Sequence, residues 1–193
     1  MAVNPRNSFP AHRYTRDEYF ALERVGEARY EYWDGEIVCM SGGTEEHALI
    51  TNNLQMTLTR QLTGRACRVF GADLAIATPM LPPYRYPDLS VVCGQPVFQD
   101  IEGIATLTNP IVVVEVLSPA TESRDRNEKR AAYQALQSLE DYLLVHQDAP
   151  HITHYTLKGV PRRDYSSLTE AIQLASIGCY LTLAEVYEGI QFN

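Results

Sequence analysis

The 193-residue chain has little that would tie it to a membrane, an oxidising compartment or a nonspecific polyanion partner. No apolar run approaches the roughly 20 residues that cross a bilayer, and the N-terminus has no apolar signal-peptide core. Its four cysteines, Cys39, Cys67, Cys93 and Cys179, are far apart and form no C-x-x-C. That spacing argues against a zinc site and predicts reduced, largely buried thiols and a cytoplasmic protein. Basic residues are in deficit, 16 Lys and Arg against 24 Asp and Glu. A net charge of −8 excludes indiscriminate nucleic-acid binding, which needs a dense Lys/Arg surface, but leaves room for a local basic cleft. There is no internal repeat and no low-complexity tract.

Charged residues at 21% and hydrophobic residues at 45% suit one globular domain with a substantial core. Residues 1–13 carry two prolines and no periodicity, and read as a flexible arm ahead of a single domain over 14–193. Thr15-Arg-Asp-Glu18 is a capping box, which predicts a first helix ending at Gly26. Arg29–Trp33, Asp34-Gly35 and Glu36–Met40 have the strand, turn, strand form of a tight hairpin. Leu49 or Ile50, Leu54, Leu58 and Leu62 recur at helical spacing and place an amphipathic helix over 44–62.

Strands are expected at 65–70, 73–77, 88–93, 111–117, 141–145 and 151–157, with the four prolines of 78–87 forming an exposed extended loop. Residues 94–110 read as an excursion, 122–138 as a charged amphipathic helix, and 182–187 as a short terminal one. A helix between two apolar strands favours a crossover connection, so the fold class is α/β with a mixed sheet.

Two acids stand inside the most apolar of these strands: Asp88 before Leu-Ser-Val-Val, and Glu115 within Ile111-Val-Val-Val-Glu-Val-Leu. A carboxylate in such a run costs several kcal/mol unless it has a partner. The two are 115 − 88 = 27 positions apart, a separation that neighbouring strands can close. Hard oxygen donors of this kind suit Mg²⁺ or Mn²⁺. On the following helix, Lys129, Tyr133 and Leu136 lie at i, i+4 and i+7, which turns Lys129 toward the core while Arg130 aligns with Gln134 and Gln137 on a wet face. Lys129 then either supplies a positive charge for phosphate chemistry or forms a structural ion pair with one acid. The remaining charges of Ser123–Arg130 read as a solvated face.

Glu31, on the same strand face as Trp33, is either a third ligand or base, or a structural hydrogen-bonding residue. His47 either approaches the site or caps its helix. Asp73 is a further acid at a strand start, and Tyr84, Arg85, Arg162 and Arg163 are loop residues able to meet a phosphate backbone. His151 and His154 would point to opposite faces of a strand and share no metal.

Pro87-Asp88, Glu115 and a lysine on the next helix together resemble the PD-(D/E)XK nuclease superfamily. More specifically the chain resembles the Uma-type family of restriction endonucleases, a domain of unknown function. The matching blocks are Tyr30–Glu36, Met40-Ser41, His47, Tyr86–Val92, Val114–Pro119 and Arg126 through Lys129 to Tyr133, in order over about 15–190. The resemblance implies a restriction-endonuclease-like core, with an N-terminal helix and β-hairpin beside a mixed central sheet flanked by helices. It also implies a divalent-metal-dependent endonuclease hydrolysing DNA. Asp88, Glu115 and the carbonyl of Val116 would hold the metal, and Lys129, Glu31 and His47 would complete the catalytic set. A two-fold homodimer would match the symmetry of a duplex. The chain departs from the superfamily pattern at Leu117, where Glu-x-Lys would place lysine. That departure leaves open a second reading, a catalytically degenerate nuclease fold serving as a binding or regulatory module.

Overall fold

Thr15 opens the first helix as its spacing predicts: its hydroxyl accepts the Glu18 N–H while the Glu18 carboxylate takes the Thr15 N–H at 2.7 Å. The computed structural model describes residues 12–26, 28–40, 43–119, 121–157 and 161–192. The arm expected over 1–13 therefore lies mostly outside the described residues. By internal packing the chain divides into two units, 1–41 and 42–193.

The N-terminal unit contains α1 (Arg16–Val25), β1 (Tyr30–Trp33) and β2 (Glu36–Cys39). Asp34 and Gly35 both have positive φ, 44° and 90°, as a type I′ turn requires at its two central positions. That turn sets the register Trp33↔Glu36.

The C-terminal unit runs through α2 (Glu45–Leu62), β3 (Cys67–Gly71), β4 (Ala75–Ala77), β5 (Tyr84–Arg85), β6 (Leu89–Cys93), β7 (Phe98–Ile101), β8 (Ile104–Leu107) and β9 (Val112–Leu117). There follow α3 (Glu122–Arg124), a π-helical turn (Asp125–Lys129), α4 (Arg130–Gln134), β10 (Asp141–His146), β11 (Ile152–Thr156), β12 (Arg163–Tyr165), β13 (Ala171–Leu174), β14 (Cys179–Thr182) and α5 (Leu183–Val186). Its main sheet has the order β12-β11-β10-β9-β6-β3. Only β9 and β10 pair in parallel, joined by the helical segment between them, and the other neighbours are antiparallel.

Alternation divides the sheet between two cores. Leu89, Val91, Val112, Val114, Val116, Leu143 and Val145 pack with Ile50, Leu54, Leu58 and Leu62 of α2. Val113, Leu117, Tyr142 and Leu144 face the opposite way, toward Tyr133 of α4. Full burial of each such side chain is worth about 1.5–3 kcal/mol, and the two-sided burial explains why β6 and β9 read as unbroken apolar runs.

Several expectations are corrected here. Residues 94–110 are not a free excursion: they form the β7–β8 hairpin, and β8 pairs with β4 in a second sheet of order β5-β4-β8-β7. The helix expected over 122–138 ends at Gln134 and contains the π turn. Cys67 and Cys93 are joined as a disulfide at directly opposed positions of β3 and β6, so two of the four expected thiols are oxidised, while Cys39 is exposed and Cys179 buried. Opposed residues of an antiparallel pair bring their Cβ atoms together across two strands, which sequence spacing does not reveal.

Candidate active site

Pairing between β6 and β9 places Leu89 opposite Val114. One step further along the same antiparallel register, Asp88 falls opposite Glu115 (88 + 115 = 89 + 114). Glu115 lies between Val113 and Leu117, so its side chain leaves the sheet on the side covered by the helical segment. There it is 3% exposed, and Lys129 and Asp125 are each 1% exposed.

The Lys129 ammonium is surrounded by acceptors. It lies 3.2 Å from Glu115 Oε1, 3.3 Å from Glu115 Oε2 and 3.4 Å from Asp125 Oδ1. It also donates to the Tyr86 carbonyl at 3.3 Å, two residues before Asp88. One buried cation thus ties the strand bearing Glu115, the helical segment and the backbone leading into Asp88. Asp125, expected on a solvated face, is instead drawn inside at i−4 from Lys129. Its own carbonyl accepts the Tyr142 hydroxyl at 2.9 Å, and burial pushes the pKa of that phenol well above its ordinary value. The only sequence signal for Asp125 is its i, i+4 spacing to the lysine.

Asp88 occupies the gap where β6 has not yet begun and β9 continues. Its Oδ2 accepts the Val116 N–H at 2.6 Å, replacing the missing strand partner. Val116 turns its N–H to the Asp88 side of β9, and the N–H and carbonyl of one extended residue point the same way. The Val116 carbonyl therefore opens into the same gap as the Asp88 carboxylate.

His47 enters this gap from the first turn of α2. The helix cap is Thr44, whose hydroxyl accepts the His47 N–H, so His47 does not cap its helix. Its Nε2 instead lies 3.4 Å from Asp88 Oδ1, the approach to the site that is the other alternative. The neighbouring Asp88 carboxylate holds the imidazole's pKa above its ordinary value against the lowering effect of burial, and the Val116 carbonyl adds to the rise.

Asp88, Glu115 and the Val116 carbonyl form a set of hard oxygen donors on adjacent strands. Among the described residues, no three or more His, Cys, Asp or Glu side chains are grouped to hold an ion. Two carboxylates and a carbonyl suit a cation that keeps several waters or takes substrate oxygens, as Mg²⁺ does, better than one needing an all-protein cage. The donor chemistry fits the expected metal.

Other candidates fall elsewhere. Glu31 belongs to the N-terminal unit, where it and Trp33 are the buried alternates of β1. Asp73 is exposed in the turn between β3 and β4. Arg85 is buried, not an exposed loop residue: its guanidinium donates to the carbonyls of Leu81, Pro82 and Tyr84 and braces the proline loop. Tyr84 is buried as well. Arg162 pairs with Asp164, and the Arg163 guanidinium lies over the Tyr165 ring. Arg130 is half-buried over the Tyr155 ring, not on a wet face. His151 meets Asp164 whereas His154 is buried on Asp141 at 2.7 Å, so the two share no acid.

Acids on two adjoining strands of a mixed sheet, with a lysine from the helix that follows, define a protein of the restriction-endonuclease-like fold class. Residues 16–184 match the Uma2 family, described as "Putative restriction endonuclease", and the chain belongs to that family. It is 32% identical over the full length of both chains to the uncharacterized protein slr1290 of Synechocystis sp.. It is 31% identical to the uncharacterized protein sll1609 of the same organism, over 75% of this chain and 81% of that one. Its fold is shared with a crystal structure from Anabaena variabilis described as a "putative nuclease belonging to DUF820", at a TM-score of 0.69, 16% identity and coverage of 90% and 97% of the two chains. Among the described residues no helix is long and apolar enough to cross a membrane.

Proposed function

We propose that the protein is a divalent-metal-dependent endonuclease that hydrolyses DNA phosphodiester bonds, with Asp88, Glu115 and the Val116 carbonyl as its metal-holding set. The observation that carries this reading is the meeting of Asp88, His47 and the Val116 backbone in one gap, beside a buried lysine that reaches Glu115. A bound Mg²⁺ or Mn²⁺ would supply Lewis-acid polarisation of the scissile phosphate and acidify attacking water. Lys129 presents positive charge where the pentavalent phosphorus gains negative charge, and its contacts to Tyr86 and Asp125 fix the ammonium before substrate arrives. His47 orients the Asp88 carboxylate, whose other oxygen is already held by Val116. Cleavage of both strands of a duplex favours a homodimer, for which sedimentation at micromolar concentration is the direct test.

A specific observation also supports the degenerate-module reading. Both Glu115 oxygens lie within 3.3 Å of Lys129, as in a structural ion pair. Calorimetric titration with Mn²⁺ separates the two. The nuclease reading expects binding by the wild type that is lost in Asp88→Asn and in Glu115→Gln. Binding that survives both substitutions would overturn the assigned ligand set.

A further inference from the structure

We propose that Arg126, held by Glu122 and His146, binds a non-scissile backbone phosphate of the DNA. This inference rests on the nuclease reading and adds a substrate-positioning residue to it.

His146 is the last residue of β10 and pairs with Leu117, two positions beyond Glu115 on β9. Tyr142 and Leu144 point to the same side of the sheet as Val113 and Leu117, and alternation carries His146 to that side too. It therefore stands at the strand ends where Glu115 emerges, under the same helical segment. Arg126 is three residues before Lys129 in the π turn, a wide helical form found often at functional sites.

The arginine is fixed at two points. Its Nε donates to Glu122 Oε1 at 2.7 Å, and its Nη2 lies 2.6 Å from His146 Nε2. A guanidinium has no acceptor, so His146 Nε2 must be the acceptor, and the ring's proton sits on Nδ1, which faces Asp148 Oδ1 at 3.6 Å. Burial, with His151 and Arg126 nearby, holds the His146 pKa below its ordinary value, which agrees with a neutral ring.

The consequence is a cation aimed but not used up. Two of the five guanidinium N–H groups are engaged, and no partner among the described residues engages Nη1. The side chain is 28% exposed. A structural brace alone would need only the Glu122 contact. Beyond the charge offset by Glu122, the bond to a neutral imidazole orients the planar fork without neutralising it further, and the remaining Nη N–H groups suit bidentate recognition of a phosphate.

The test is binding of a fluorescent 20-base-pair DNA duplex to the full chain in EDTA, as a function of salt, with melting temperatures measured on every variant. Each phosphate contact contributes about 0.9 to the slope of log K against log salt. Arg126→Ala is expected to lower that slope by roughly one contact and to weaken binding several-fold at low salt. Arg126→Lys is expected to keep the slope while losing affinity, because charge remains and the fork does not. If the wild type binds and Arg126→Ala leaves slope and affinity unchanged, this inference fails while the nuclease reading stands. A wild type that binds no duplex even at low salt overturns this inference, and the nuclease reading is then decided by the cleavage assay with added metal.

Discussion

Replacing Lys129 by methionine removes the ammonium but keeps most of the side chain's volume. Glu115 and Asp125, whose side chains are 3% and 2% exposed, then lose the cation lying within 3.4 Å of both. Breaking a buried ion pair from one side costs about 3–5 kcal/mol, because the remaining charge stays out of water unpaired. For a chain of this size each kcal/mol moves the melting temperature by about 2–4 °C, so the expected fall is roughly 6–20 °C. The assay is thermal unfolding at neutral pH, alone and in a cycle with Glu115→Gln. The double variant should be more stable than Lys129→Met, since removing the stranded charge relieves the penalty, and the cycle should show clear non-additivity. A Lys129→Met melting temperature within 2 °C of wild type, with additive effects, would refute the claim that this lysine is held between two buried acids.

Two further predictions follow from other parts of the fold. His47 has a folded pKa raised above 6.5, so the stability it contributes is fully present below about pH 6.5 and is lost as pH rises through the folded value. In metal-free protein His47→Gln should flatten that fall; an identical pH profile in the variant would contradict the Asp88 contact. The Cys67–Cys93 bond spans 26 positions, and closing a loop of that length stabilises by roughly 3.5 kcal/mol on the chain-entropy estimate. Reductant should therefore lower the melting temperature of wild type and not of Cys67→Ala, and an equal response in both would count against the disulfide.

Much of this architecture is legible from residue order because local and tertiary preferences agree. Asp34-Gly35 has one favoured turn geometry, and the Val-rich strands around Asp88 and Glu115 tolerate only burial on both faces. The inward turn of Lys129 follows from its alignment with Tyr133, which is fully buried. What is not legible depends on pairings between distant segments. Asp125 sits in a run of charges that looks solvated until the π turn and the Tyr142 hydroxyl draw it in. Arg85 looks like a loop cation until the proline loop folds its carbonyls around it. The link between Arg126 and His146 crosses 20 positions and joins a helical turn to a strand end, with no local spacing to announce it.

The most direct test of the central claim is cleavage of supercoiled and linear DNA by the purified full-length protein, with Mg²⁺ or Mn²⁺ and with EDTA, beside Asp88→Asn and Glu115→Gln. Metal-dependent cleavage by wild type that disappears in both folded variants is the predicted result. Cleavage that persists in either variant, or that proceeds equally well in EDTA, would contradict the account.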